Sequence, residues 1–156
     1  MFEIGKIPPE ILEKIVMKPM MGSKVKRDDV ILRPTTGEDC SAIDLGGEFC
    51  ILSTDPITGA AADIGYLAVQ INCNDIYSAG AEPMGVLLTV LLPPGSGEDL
   101  LEEIMAGSLR AAEERNIEIL GGLFLGQFPL FPQGQEDMRK IVCHGLTLLC
   151  VEKNIQ

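Results

Sequence analysis

Asp55, Asp63 and Asp75 stand among small and apolar residues in STDPITGAAADIGYLAVQINCNDIYSAGAEP, residues 53–83, which would otherwise make an ordinary buried helix. An ionised carboxylate on the core side of a helix is costly unless it is paired, hydrogen-bonded or bound to a metal. On a helical wheel Ala68, Ile71 and Asp75 fall within about 40° of Ile64, which places Asp75 in the apolar stripe and leaves Tyr66, Gln70, Cys73 and Tyr77 on a wetter side. Asp63 lies roughly 18 Å from Asp75 along the axis, so the two cannot share one ion. Asp39, in TTGEDC, opens a hairpin whose second strand ends at Asp55, and a short pairing register would bring these two to one edge. Hard oxygen ligands converging there suit Mg²⁺ holding a polyphosphate. Spacing leaves structural alternatives open: an N-cap for Asp63, an Asx turn for Asp55, and for Asp75 a carboxylate accepting bonds from a neighbouring loop.

The elements that must position these acids follow from period and punctuation. Pro8 and Pro9 open a helix over 8–17 that should end near Lys18-Pro19. A connection without period follows, with a short strand at Val30–Leu32 and two lysines, Lys24 and Lys26, as candidate phosphate contacts or solvated charges. CSAIDL and EFCILST, separated by Gly46-Gly47, predict a hairpin. A helix is expected from about Asp63 to Ala79, with Asp63 at its N-terminus and Gly80 as its left-handed stop. GVLLTVLLP reads as a buried strand. Ser96 and Asp99 have capping-box spacing for a second helix, with Leu101, Ile104, Met105, Ser108 and Ala112 in one stripe, stopping near Asn116. IEILGG is a short strand ending in paired glycines, and 139–151 is a last long strand. This order predicts an α+β layer in which two main helices cover one face of a mixed sheet. The aliphatic opposite face predicts a homodimer made sheet to sheet.

At 156 residues the chain fits one domain, and 46% hydrophobic with 22% charged residues is a globular composition. A net charge of −11 opposes phosphate backbones and anionic lipid, so nucleic acid is not an expected partner, and a small anionic ligand would need a cation or a set of backbone N–H donors. No apolar run reaches the length of a membrane span, and the N-terminus lacks a signal-peptide pattern, which predicts a cytoplasmic protein with no membrane partner. The five cysteines form no CxxC pair and are expected to be buried, reduced thiols. His144, the single histidine, lies in a strand-like run and makes neither a zinc site nor a catalytic pair.

Taken in order, GEDCSAIDLGG, STDPITGAAADIGYLAVQINCNDIYSAGAEP, LLTVLLPPG and IEILGG resemble the N-terminal domain of the PurM-like, AIR synthase-related superfamily, with HypE-type hydrogenase maturation proteins as the nearest flavour. The resemblance covers residues 5–122. It implies a domain that dimerises through its sheet into a barrel and binds ATP and Mg²⁺ through acidic residues; in complete relatives ATP phosphorylates an amide, carbonyl or carboxylate oxygen. Carried onto this sequence, Asp39, Asp55 and Asp75 match the metal- and phosphate-binding acids, Asp63 and Asn74 are further cofactor contacts, and Gly121 and Gly122 match a phosphate-proximal turn. Three departures accompany it. Gly122 is followed by Leu123-Phe124-Leu125 where the family has His-Thr or Asp-Thr, opening an atypical apolar insertion over 123–134. The larger domain that completes the ATP cleft, and the cysteine segment of HypE, do not follow VEKNIQ. The resemblance thus implies a chain that is catalytically incomplete alone, with a partner chain as one possible source of the missing domain, a non-catalytic dimeric interaction or regulatory module, or a fragment of a longer enzyme that is active only with its missing half.

Overall fold

The computed structural model describes residues 6–33, 35–58, 63–126 and 142–152, the last as backbone. Its elements run α1 (Pro9–Leu12), a π turn (Glu13–Met17), α2 (Lys18–Met21), β1 (Val30–Leu32), β2 (Cys40–Asp44), β3 (Glu48–Thr58), α3 (Ile64–Ser78), β4 (Gly85–Leu91), α4 (Glu98–Arg115), β5 (Glu118–Leu125) and β6 (Val142–Glu152). The expected insertion beyond Gly126 and the start of the expected last strand, 139–141, lie outside the described residues.

The six strands form one sheet in the order β1-β2-β3-β6-β4-β5. Every neighbouring pair is antiparallel except β4 with β5, and α4 supplies the long crossover that a parallel pair requires. The hairpin forms where Gly46-Gly47 predicts it. Both glycines have positive φ, and a carboxylate oxygen of Asp44 accepts the Gly46 N–H at 2.8 Å.

Helices α3 and α4 lie together on one face, over a core of Ile64, Ala68, Val69, Cys73, Val86, Leu88, Val90, Ile104 and Ala111. The two helices cross at Gly65, where a Cβ would stand 2.0 Å from the Ile104 carbonyl oxygen. A smaller cluster of Cys40, Ala42, Ile51, Ile76 and Ala81 fills the space under the hairpin. The expected layer is therefore present.

Four local expectations are corrected. The first helix passes Lys18-Pro19 instead of stopping there, because a π turn lets the Lys18 N–H reach Glu13 O, five residues back, ahead of the proline. Ser96 does not cap α4. Its hydroxyl donates to Pro93 O at 2.7 Å, closing the preceding turn, and Gly97 takes the N-cap position. Strand β3 continues through Asp55 to Thr58, because β6 pairs with it along its whole length. Strand β5 likewise runs through the paired glycines to Leu125, paired with β4, so Gly121 and Gly122 are strand positions and make no turn.

At those glycines the ladder slips by one residue, from Val86↔Ile119 to Leu87↔Gly121. A Cβ on Gly122 would stand 1.7 Å from Leu88 O, and its φ is 155°. The bulge thus brings two backbones into contact that no side chain could enter. Gly122→Ala should destabilise the fold by at least about 2 kcal/mol, from clash and strain together, measured by urea unfolding. Gly126→Ala, at an open position, should change it little.

Candidate functional site

The acidic site is built at the end of the hairpin where β2 and β3 part. Cys40, the first residue of β2, lies opposite Ser53, so Asp39 lies one residue and Asp55 two residues past the last β2–β3 pair. Past Ser53, β3 has no β2 neighbour on that side. The carboxamide of Asn72 on α3 takes the vacant place: its oxygen accepts the Asp55 N–H at 2.9 Å, and its nitrogen donates to Asp55 O at 3.2 Å and Ala68 O at 2.8 Å. Asn72 is fully buried, so these bonds satisfy a side chain that could not otherwise lie there.

One helical turn on, Asp75 is held by Ser53. The Ser53 hydroxyl, 3% exposed, lies 2.7 Å from a carboxylate oxygen of Asp75 and 3.4 Å from Asp39 O. A single hydroxyl thus touches both segments that carry the outer acids. The Cys40 thiol reaches Asp75 O at 3.5 Å, closing the hairpin's first residue onto the helix. Asp75 is half-buried, and the buried face of α3 is centred on Gly65, Ala68, Asn72 and Ile76. The apolar stripe is therefore turned from the expected position: Cys73 is in the core, and Asp75 lies at the margin facing β3.

Electrostatics join the three acids more closely than their contacts do. Burial pushes the Asp55 carboxyl above the usual carboxylate range, and repulsion from Asp75 and then Asp39 adds to it, while Lys6 offsets part of the effect. The ion pairs among the described residues are Arg27–Asp29 and Arg110–Asp63, and neither involves Asp39, Asp55 or Asp75. Among the described residues, no three acidic, cysteine or histidine side chains are gathered tightly enough to hold a metal ion by themselves. The donor set is nonetheless of the kind Mg²⁺ takes, which binds through one or two carboxylates and completes its shell with phosphate oxygens and water.

The remaining candidates are placed elsewhere. Asp63 stands at the N-cap position of α3 in a left-handed conformation, φ 59°, without a side-chain cap. Its exposed carboxylate instead accepts from Arg110 at 2.9 Å, and Arg110 lies 4.7 Å over the Tyr66 ring, so the pair ties the start of α3 to α4. Asn74 is exposed, on the far side of α3 from Asn72. Gly122 shares one row of the sheet with Asp55, through Gly145 and Leu88, so three strand spacings, about 14 Å, separate them. Lys26 donates to Met21 O at 2.6 Å, closing the end of α2. A cleft lined by Tyr77, Met84, Arg115, Ile117, Glu118 and Leu120 contains none of the acidic candidates.

Asn72 and Ser53 were not among the residues singled out from the sequence. The available signal was an asparagine within an apolar helical stripe, one turn before Asp75, and a serine two residues before Asp55.

Residues 37–145 match the family described as AIR synthase related protein, N-terminal domain. A protein of Methanocaldococcus jannaschii named for hydrogenase expression and formation is 25% identical over 123 residues, which is 76% of this chain and 36% of that protein. A crystal structure of the hydrogenase maturation protein HypE superposes with a TM-score of 0.57 at 28% identity, over 75% of this chain and 36% of that one. AaThiL complexed with AMPPCP and TMP has the same fold at a TM-score of 0.66 and 19% identity, over 94% of this chain and 45% of that one. The chain thus spans a third to under half the length of these relatives.

Two outcomes test the architecture of the site. Asn72→Ala leaves the Asp55 backbone groups unpaired beside a cavity and should cost about 1–3 kcal/mol in chemical unfolding. Because the Asp55 carboxyl is raised in the folded state, the native protein holds that proton more tightly than the unfolded chain, and stability falls as pH rises through the interval from the usual carboxylate value to the raised one. Asp55→Asn should flatten this loss above the usual carboxylate value and leave the metal-free protein more stable than wild type at neutral pH. A steeper decline in the variant would contradict the assignment.

Proposed function

The chain belongs to the AIR synthase-related family, and from that premise we propose that it binds a magnesium nucleotide, ATP, through Asp55 and Asp75 with Asp39 at the rim. The observation that carries this reading is the Asp55 carboxyl, raised by burial and by two neighbouring acids that have no ion-pair partner among the described residues. Such a cluster loses free energy in the folded state until a cation neutralises it. The solved structure with the same fold, AaThiL complexed with AMPPCP and TMP, supports the choice of nucleotide, AMPPCP being an ATP analogue.

Asp55 and Asp75 would hold the ion, each through carboxylate oxygen. Bound there, Mg²⁺ would screen the phosphate charge and polarise the terminal phosphoryl group for transfer to an amide or carbonyl oxygen. The residues of this chain do the positioning. Asn72 fixes the Asp55 backbone, and Ser53 fixes the Asp75 carboxylate by one oxygen and leaves its other oxygen for the ion. Asp63 supports the site through its pairing with Arg110, which sets where α3 begins. Asn74, Gly121 and Gly122 would contribute at a distance from the ion.

The same reading makes residues 37–145 a domain that pairs sheet to sheet with a second copy in the cytoplasm. A non-catalytic interaction module is the second reading. The apolar run after Gly122 favours it, because Leu123 and Phe124 are 52% and 44% exposed.

Calorimetric titration with ATP separates the two. Metal-dependent binding that is lost in both Asp55→Asn and Asp75→Asn is the expected result. Equal binding with and without Mg²⁺, or none at millimolar ATP, would leave only the module. Light scattering should give a dimer, and a monomer at working concentration would refute the sheet-to-sheet pairing.

A further inference from the structure

The register of β3 with β6 sets Cys50 directly opposite Cys150. Directly opposed residues of an antiparallel pair lie on the same face, with Cα atoms about 4.5 or 5.5 Å apart. Both separations lie inside the window of about 4.4–6.8 Å that a disulfide spans. Phe49 and Ile51 belong to the cluster beneath α3, so strand alternation places position 50, and position 150 beside it, on the face turned away from the helices. The other cysteines have no such neighbour: Cys40 is opposite Ser53, Cys143 is opposite Ile57 and Val90, and Cys73 lies in α3.

We propose that Cys50 and Cys150 are an oxidisable cross-strand pair, a modification site at which a small disulfide staples the last strand of the chain to the strand that carries Asp55. With glutathione disulfide as oxidant, one cysteine thiolate attacks it and releases a glutathione thiol, leaving a mixed disulfide. The second cysteine thiolate then displaces the other glutathione. One protein S–S bond forms, the glutathione S–S bond is broken, and two electrons and two protons end on two glutathione thiols. Cys50 is only 5% exposed, so the reaction waits on transient opening of the outer sheet face and is slow in the closed state.

The link has a large effect for its size. β6 comes last in the sequence but sits between β3 and β4 in the sheet, and a bond from position 50 to position 150 closes a loop containing most of the domain. It restricts the unfolded chain, and it fixes the strand pairing that continues five residues further to Asp55. The assignment is independent of whether the carboxylates bind a nucleotide.

The native chain is incubated with glutathione disulfide, its remaining thiols are alkylated after unfolding, and its peptides are mapped by mass spectrometry. A Cys50–Cys150 linked peptide is expected, together with a thermal midpoint raised by several degrees that returns on reduction. Cys150→Ala should abolish both effects, and Cys40→Ala should abolish neither. Recovery of both cysteines as alkylated thiols, or a different intramolecular or intermolecular linkage, would overturn the proposal. Since the deciding map is made on the wild-type chain, it does not depend on any variant folding.

Discussion

The carboxamide of Asn72 joins the helix layer to the sheet where β2 no longer accompanies β3. A strand that outlasts its neighbour exposes backbone donors and acceptors, and burying them unpaired under a helix would be costly. Asn72 offers one acceptor and one donor to the same residue, Asp55, in the manner of a short strand. Its third bond, to Ala68 O, fixes the amide orientation from within α3. The position of α3 along β3 follows from this contact, and with it the place where Asp75 meets Ser53.

That register gathers negative charge where the fold gains nothing from it. Ser53 satisfies one oxygen of Asp75, and no arginine or lysine forms an ion pair with the three acids among the described residues. Elsewhere on the same helices the basic residues are engaged: Arg110 with Asp63 and Tyr66, Arg115 with Gln70 and over Tyr77. The contrast distinguishes a part of α3 that is fastened to α4 from a part whose acids face the parting strands. Sites that bind charge commonly keep such local instability, and the surrounding structure sustains it.

The sheet sustains it through its strand order. β6 separates β3 from β4, so the hairpin that carries the acids and the β4-α4-β5 unit are joined through the last strand of the chain. The core of Val86, Leu88 and Val90 lies under the helices within that arrangement. At the far edge, the bulge at Gly121-Gly122 presses β5 against β4 and leaves Leu120, Leu123 and Phe124 substantially exposed. The acids and the exposed apolar edge therefore occupy opposite sides of one sheet.

Local physics was legible in the residues themselves. Gly46-Gly47 specified the hairpin turn, Gly80 and Asn116 the left-handed helix ends, and the ordered acidic and glycine motifs the family. These features depend on residues close in the chain, where turn chemistry and periodicity act directly. Asp63 shows the limit: it occupies the predicted cap position, but an arginine 47 residues away takes its carboxylate. Sequence by itself determined the α+β layer, its helix ends and the three acids worth weighing. Only the tertiary structure decided that Asn72 holds Asp55, that Ser53 holds Asp75, and that Gly122 lies within a strand instead of a turn. Each of these is settled by strand register and helix placement, which arise from contacts across the chain and leave no mark in the local pattern.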